Sequence, residues 1–217
     1  MRPLSFRAFI AAAIICTQIA LTAPSAPAAT LLFSDKFTGS SGALSSARWK
    51  TWWGTVRLHN NVASLVSPTP TSAGRTYSAL ATSRKAWTNY TFTYVQRNVG
   101  QLRKGSRPNT WECAWSMFRY RDLENYYYFI LKPNGWELGK KHGSDDQIFL
   151  TTGSSPVARV GYADTVKITV VKATITIWVN GRQIARYTDR RPIGSGAIGI
   201  YEEDAHVHFD NTYVYSA

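Results

Sequence analysis

The chain has 217 residues, 44% of them hydrophobic and 18% charged, and a formal net charge of +12. This length suits one all-β domain, and no hydrophobic stretch beyond the N-terminal region is long enough for a transmembrane helix. The basic residues are spread along the chain apart from Gln101–Arg107, so they indicate solubility and a general attraction to polyanions, not one specific partner.

The N-terminus has the pattern of an export signal. Arg2 and Arg7 supply a positive start, and the apolar segment Phe9–Ala20 is short for a membrane span. Ala26–Ala28 (Ala-Pro-Ala) then offers the small residues of a cleavage site. We therefore predict a signal peptide over residues 1–28 and a secreted protein without a membrane anchor after cleavage.

The predicted mature chain, residues 29–217, is expected to form a single domain. Its net charge would be +10, because the signal takes two of the 25 basic residues and none of the 13 acidic ones. Cys113 is its one cysteine, so no internal disulfide can form and the core must stabilise the fold. With tryptophan and methionine near it in the strand, Cys113 is interpreted as a small buried apolar residue without a catalytic role.

Short runs rich in Val, Ile, Thr, Tyr and Phe alternate with Gly, Asn, Pro and Ser, which predicts strands and turns and no helix beyond the signal. Pro133–Gly135 and Asn180-Gly181 are typical of tight hairpin turns. Fourteen strands without disulfides predict an all-β, two-sheet antiparallel sandwich of the jelly-roll type. The predicted strands are Leu31–Phe37, Thr55–Asn60, Val62–Val66, Tyr77–Ala81, Tyr90–Asn98, Thr110–Tyr120, Tyr126–Lys132, Trp136–Lys140, Gln147–Thr151, Thr165–Val171, Thr174–Val179, Gln183–Tyr187, Ala197–Tyr201 and His206–Val214.

The local composition predicts two loops. Ser67–Arg75 and Gly100–Asn109 are rich in Pro, Gly, Ser or charge, so they are predicted to be loosely ordered loops at the ends of the sandwich.

The segment Thr110–Lys140 carries the strongest functional signal, because it contains three of the eight tryptophans interleaved with charged residues. Aromatic rings beside fixed polar groups suit the C–H faces and hydroxyls of a sugar. The alternative is a sandwich core whose aromatics lie beside long basic side chains. We favour a saccharide site, with these predicted contacts: Trp111, Trp115, Arg119, Tyr126, Tyr128, Lys132, Trp136 and Lys140.

Acidic residues in and near this segment are the candidates for catalysis. Glu112 lies in an apolar strand, where burial would raise its pKa towards that of a general acid; a salt bridge to Arg119, Arg121 or Lys132 is the alternative. Glu137 follows Trp136 in a hairpin and would project towards the same surface. We therefore predict Glu112 and Glu137 as the catalytic pair. Four other acids are interpreted as turn residues or as solvated: Asp122, Glu124, Asp164 and Asp189. Glu202–Asp204 would concentrate negative charge and need a cation, Arg or Lys partners, or solvent, of which solvent is the commonest.

Three segments together resemble a known superfamily: the opening LLFSDKFTGSSGALSSARWK, the central FRYRDLENYYYFILKPNGWELGK and the ending GSGAIGIYEEDAHVHFDNTYVY. In order and spacing they are similar to the concanavalin A-like lectin/glucanase superfamily, especially its laminin-G-like and 3-keto-disaccharide-hydrolase-type members. The resemblance spans about Leu31 to Tyr215 and implies a jelly roll that binds or processes saccharide on a concave sheet. The Glu-x-Asp-x-x-Glu strand of the superfamily's glycosidases is not matched, since Glu202–His208 lacks the last glutamate.

A structural calcium ion is the one metal that the sequence predicts. In a sandwich whose first and last strands meet, Asp35 and Asp210 could share a Ca²⁺ ion, which prefers hard oxygen ligands. The alternative is that Asp210 belongs to a strand-end bulge or turn. A zinc site at His206 and His208 is not expected, since no cysteine or third histidine joins them in the sequence.

These observations predict an exported carbohydrate-active protein, first a glycoside hydrolase on an extracellular polysaccharide. Two alternatives stay open, namely a non-catalytic carbohydrate-binding or adhesion module and a polysaccharide lyase on an acidic glycan. The lyase would draw its acid and base from Tyr, His, Lys or Arg side chains such as Tyr126, Lys132 and His206. Nucleic acid is not expected as a partner, because no recognised nucleic-acid motif is present.

Overall fold

A computed structural model describes residues 28–217, and the prediction of a cleaved signal peptide falls on residues outside that range. Sixteen strands and no helix form in this part of the chain, and within it no helix could cross a membrane. The strands are β1 (Leu31–Asp35), β2 (Gly42–Ala43), β3 (Trp49–Trp53), β4 (Thr55–His59), β5 (Val62–Val66), β6 (Ser78–Trp87), β7 (Tyr90–Gln101), β8 (Ala114–Asp122), β9 (Asn125–Lys132), β10 (Gly135–His142), β11 (Ile148–Gly153), β12 (Ala163–Val171), β13 (Thr174–Val179), β14 (Arg182–Thr188), β15 (Gly196–Glu203) and β16 (Ala205–Ser216).

The strands form two open antiparallel sheets in a jelly-roll sandwich, as the sequence predicts. The nine-stranded sheet runs in the order β14-β13-β12-β7-β16-β5-β4-β2, with β1 also paired to β16. The seven-stranded sheet runs β11-β10-β9-β8-β15-β6-β3. Strand β16 pairs with β7 along its length, while its other edge takes β5 at one end and β1 at the other.

Alternating side chains from both sheets fill the space between them. In β12 and β13, Val166 lies opposite Val179 and Ile168 opposite Ile177, and all four are buried in the core. Asn180 and Gly181 both have positive φ, at 49° and 80°, as a two-residue hairpin turn between β13 and β14 requires. The pattern of β-branched residues on one parity therefore determines both the sheet register and the buried face.

The two loops predicted to be loosely ordered are instead bonded to each other. Lys104 donates its backbone N–H to the carbonyl of Pro70 at 2.9 Å, and the Arg103 guanidinium donates to the carbonyls of Ser72 and Arg75 at 2.6 and 2.9 Å. Arg103 is 6% exposed. The sequence shows the polarity of these loops but not that one arginine satisfies several of their carbonyl groups.

Candidate functional site

The outer face of the seven-stranded sheet, directed away from the core, carries a second layer of aromatic side chains. In β8, Ala114 and Phe118 belong to the main core, whereas Trp115 and Met117 lie on the opposite face. Two clusters separate from the core form on this face. They contain Cys113, Trp115, Tyr128 and Ile130 in one and Leu80, Met117 and Tyr120 in the other, with Tyr126 and Tyr201 packed against both.

One end of this face holds a cavity of about 390 Å³, which we call the Trp115 groove. Trp111 and Phe149 are 44% and 65% exposed there, unusually high for large apolar side chains. The groove therefore offers apolar walls with a few polar groups between them, as ligand sites usually do. Its lining residues are Thr110, Trp111, Trp115, Ile130, Lys132, Glu137, Gln147, Phe149 and Glu203.

Of the predicted site residues, the structure brings four into the groove: Trp111, Trp115, Lys132 and Glu137. Tyr128 and Tyr126 lie beside it, since the Tyr128 ring centroid is 5.2 Å from that of Trp115 and 6.4 Å from that of Tyr126. The hairpin of β9 and β10 brings Glu137 and Lys132 together.

The Glu137 carboxylate is held in place by two donors. The Tyr128 hydroxyl donates to Oε1 at 2.8 Å and the Lys132 ammonium donates to Oε2 at 2.8 Å. Burial raises the pKa of Tyr128, so its hydroxyl stays protonated and remains a donor. Tyr128 can lie flat here because its partner across the strands is Gly139, where an added Cβ would come within 2.1 Å of the Tyr128 hydroxyl oxygen. Glu137 is thus an oriented carboxylate whose charge is balanced by Lys132.

Glu203 has a different environment on the other side of the groove. Burial raises the pKa of Glu203 to about 7, and the negative charge of Asp204 adds to that rise. Its hydrogen-bond partner is the Tyr201 hydroxyl, which donates to Oε2 at 3.4 Å. Within residues 28–217 no Lys or Arg nitrogen lies within 4.0 Å of this carboxylate. The Glu203 carboxyl can therefore gain or lose a proton near neutral pH.

The two carboxyl groups are separated by the strands between them. Glu137 is in β10 and Glu203 in β15, with β9 and β8 in between. Three strand spacings place their backbones about 14 Å apart. Both side chains nevertheless line the same groove.

Glu112 is not in the groove. It is 0% exposed, and its Oε1 accepts from Arg103 and from Asn109 Nδ2 at 2.7 Å. Arg103 also donates to Asp204 at 2.6 Å, so it bridges two buried carboxylates. The predicted alternative of a salt bridge is therefore correct in kind, although its partner is Arg103 and none of the three basic residues that the sequence suggested. We leave Glu112 out of the proposed catalytic groups.

Three predicted saccharide contacts are also placed elsewhere. Arg119 is 2% exposed and donates to the carbonyls of Thr88, Lys172 and Ile193. Trp136 belongs to the main core, and its indole N–H donates to the Ser155 carbonyl. Lys140 is buried and donates to Asp189 at 2.7 Å. Each side chain points between the sheets, so we leave all three out of the site.

The acids interpreted as solvated are largely buried. Glu202 and Asp204 are both 0% exposed. Asp189 is 5% exposed, and its carboxylate accepts hydrogen bonds from Lys140 and Tyr127. That interpretation was wrong, since the burial depends on partners distant in sequence. In contrast, Asp122 does serve its hairpin turn, accepting from the backbone N–H of Glu124 at 2.8 Å.

Asp35 and Asp210 do not fit a shared calcium ion. The Asp35 oxygens accept from the Phe37 N–H at 2.8 Å and from the Trp49 indole N–H at 2.9 Å. Asp210 accepts from Asn211 through both oxygens. N–H donors already take these oxygens: Asp35 closes a turn with Phe37, and Asp210 lies within β16 where the register shifts between Asp210 and Tyr213. Within the described range, moreover, no group of three or more His, Cys, Asp or Glu side chains could hold a metal ion.

Five residues of the groove were not predicted from the sequence, namely Thr110, Ile130, Gln147, Phe149 and Glu203. A signal for Glu203 is present in β15, where Ile198 and Ile200 alternate with Tyr201 and Glu203. If the isoleucines face the core, Glu203 must share the outer face with Tyr201. Gln147 and Phe149 lie at the edge of the sheet, where the sequence carries no comparable pattern.

Solved structures with this fold include several carbohydrate proteins. The carbohydrate-binding module CBM66 from Bacillus subtilis is 16% identical, with a TM-score of 0.63 over 78% of this chain and 96% of that one. A β-glucanase from Bacillus licheniformis is 10% identical, with a TM-score of 0.60 over 87% and 98%. A β-1,3-glucanase from Mycobacterium marinum is 13% identical, with a TM-score of 0.59 over 88% and 100%. At these identities the likeness shows the fold.

No curated protein matches the chain in sequence. A family described as the 3-keto-alpha-glucoside-1,2-lyase-like domain, however, matches residues 35–215, which include every strand from β2 to β15 and nearly all of β16. This agrees with the resemblance drawn from the three sequence segments. The chain therefore belongs to the 3-keto-alpha-glucoside-1,2-lyase-like family of carbohydrate-active domains.

Proposed function

We propose that the protein cleaves a glycosidic bond of a saccharide bound in the Trp115 groove, with Glu203 as the proton-transferring group. The observation that carries the proposal is the Glu203 carboxyl, which lines an aromatic cavity without a basic partner and has a pKa raised by burial to about 7. Proton transfer is most efficient when the pKa of the group lies near the working pH. The predicted export signal would bring this activity to extracellular polysaccharides.

The groove supplies binding and orientation. Trp115, with Trp111 and Phe149 at the rim, offers apolar surfaces for the C–H faces of sugar rings. Lys132 and Glu137 present a fixed donor and acceptor to hydroxyl groups, because their own hydrogen bond holds them in one geometry.

Glu203 and Glu137 divide the chemistry between them in this proposal. Protonated Glu203 donates its proton to the glycosidic oxygen as the bond to the leaving sugar breaks. Glu137, oriented by Tyr128 and Lys132, faces the bound ring from the opposite side and assists an attacking water molecule. The result is hydrolysis. A lyase would instead use ionised Glu203 to remove a proton from ring carbon and would leave an unsaturated product.

A non-catalytic binding module is the second candidate, and one observation favours it. The charge of Glu137 is balanced by Lys132, so Glu203 is the one carboxylate of the groove without a basic partner within 4.0 Å in the described part of the chain. Such a module would use the same aromatic groove and would form no product.

Glu203→Gln is expected to lower kcat about 100-fold or more, because the amide cannot transfer a proton. The measurement is product formation from a panel of neutral, oxidised and acidic saccharides, read both as new reducing ends and as ultraviolet absorbance of unsaturated ends. Glu124→Gln removes an exposed carboxylate at a distant hairpin and serves as the matched control.

The outcomes separate the candidates. New reducing ends without unsaturated ends, lost in Glu203→Gln, support the hydrolase, whereas new reducing ends accompanied by unsaturated ends and lost in the same variant support the lyase. Saccharide binding by the wild-type protein without product from any saccharide would replace the enzyme by the binding module. Full activity of Glu203→Gln would rule out the proposed role of this residue.

A further inference from the structure

Aromatic side chains continue from the Trp115 groove across the outer face of the seven-stranded sheet. Consecutive ring centroids along this row are 5.2, 6.4, 6.0 and 5.9 Å apart. Tyr128 and Tyr120 in this row are buried, at 0% and 4% exposure, so the row forms a packed aromatic floor that ends at Trp52, which is 41% exposed. Its members, in order, are Trp115, Tyr128, Tyr126, Tyr120 and Trp52.

At the Trp52 end the row meets a second cavity, of about 230 Å³, which we call the basic pocket. Lys50, Arg84 and Arg121 line it together with Trp52 and Tyr120, and no Asp or Glu does so. The polarity of this pocket therefore differs from that of the Trp115 groove, where two of the lining residues are glutamates.

None of the three basic side chains is neutralised, and two of them are held in position. The Lys50 ammonium lies 3.2 Å from the centre of the Trp52 ring, and Arg84 Nε donates to the Ser46 carbonyl. Among residues 28–217 no carboxylate oxygen lies within 4.0 Å of a charged nitrogen of Lys50, Arg84 or Arg121. The pocket thus keeps three positive charges available to a ligand.

We propose that the basic pocket binds an anionic substituent of the saccharide that lies along the aromatic row, so that the substrate class is an acidic glycan. The inference rests on the proposed function of the Trp115 groove, from which the row extends. Carboxylate and sulfate groups share the required chemistry, since both accept charge-assisted hydrogen bonds from Arg and Lys. The excess of basic over acidic residues adds a general attraction to such a chain.

Isothermal titration of the full mature protein tests this at low ionic strength. The probes are hexasaccharides containing galacturonate, mannuronate or glucuronate, each beside its carboxyl-reduced counterpart, and a sulfated hexasaccharide beside its desulfated form. At least one acidic member is expected to bind about tenfold more tightly than its neutral counterpart. The pair that shows the preference identifies the anionic group.

Arg121→Gln and Lys50→Gln are each expected to weaken binding of that acidic saccharide about fivefold to tenfold, while the affinity for its neutral counterpart stays within about twofold. Arg186→Gln is the control, because Arg186 is exposed on β14 of the other sheet and its loss changes the net charge equally.

Equal affinity for the charged and neutral saccharides of every pair, or equal effects of Arg121→Gln and Arg186→Gln on the affinity, would contradict anion binding by the basic pocket. Neither result would contradict saccharide binding in the Trp115 groove. No binding by any saccharide would contradict the groove as well. The titration measures binding alone, so a preference for acidic saccharides can be measured even if the cleavage assay gives no product.

Discussion

Arg103→Met is expected to lower the free energy of unfolding by about 3–5 kcal/mol, because it leaves two buried carboxylates without their shared counter-charge. The Arg103 side chain donates to Glu112 and Asp204, both 0% exposed, and to backbone carbonyls of the 67–75 loop. Methionine replaces the aliphatic part of the side chain and none of these hydrogen bonds. Urea denaturation at pH 7 measures the loss.

Arg107, which is exposed and lies in the same loop as Arg103, provides the control. Arg107→Met removes the same charge from the surface and is expected to change the free energy of unfolding by less than about 0.5 kcal/mol. The double variant Arg103→Met/Glu112→Gln should recover part of the loss, because one of the two uncompensated charges is gone. Equal stabilities of the Arg103→Met and Arg107→Met proteins would contradict the bridging role of Arg103.

Glu202→Gln is expected to change stability in a strongly pH-dependent way. Glu202 is 0% exposed, its Oε2 accepts from the Ala205 N–H at 2.9 Å, and its Oε1 has no partner in the described part of the chain. Burial raises the pKa of Glu202 from its ordinary 4.5 to about 8. Between those pH values the native protein holds a proton that the unfolded chain has released, so the unfolding free energy falls as pH rises.

The stabilisation from the protonated Glu202 side chain is fully present below pH 4.5 and is lost above pH 8. A pKa of 8 in place of 4.5 corresponds to about 5 kcal/mol. Glutamine stays neutral, so Glu202→Gln should be more stable than wild type by up to that amount at pH 9 and nearly equal at pH 4. Urea titrations at both pH values measure this, and the same difference at pH 4 and pH 9 would contradict the buried neutral carboxyl.

Much of the fold could be predicted from local patterns. The strands Val62–Val66 and Thr174–Val179 match the prediction residue for residue. The first lies between the turn signals Asn60-Asn61 and Ser67-Pro68, and the second is rich in β-branched residues and ends at Asn180-Gly181. Two strands were missed, Gly42–Ala43 and Trp49–Trp53. The first is only two residues long, and the second (Trp-Lys-Thr-Trp-Trp) lacks the regular alternation that marks a half-buried strand.

The site could be predicted only in part, because alternation gives two faces of a strand without saying which one meets the core. Trp115 and Glu112 were placed together as neighbours in sequence, yet Trp115 lies on the outer face of β8, whereas Glu112 precedes that strand and is bound by Arg103. The burial of Glu202 and Asp204 likewise depends on loops far away in the chain. Long-range packing of this kind leaves no mark in a short stretch of sequence.

The proposed proton transfer by Glu203 requires its carboxyl group to gain and lose a proton near neutral pH inside the Trp115 groove. Carbon-13 NMR of the side-chain carboxyl groups, followed from pH 3 to pH 10 in the wild-type, Glu202→Gln and Glu203→Gln proteins, measures this without a substrate. We expect one carboxyl resonance to titrate with a pKa of about 7 and to disappear in Glu203→Gln alone. A Glu203 resonance that titrates near the ordinary glutamate pKa would contradict it.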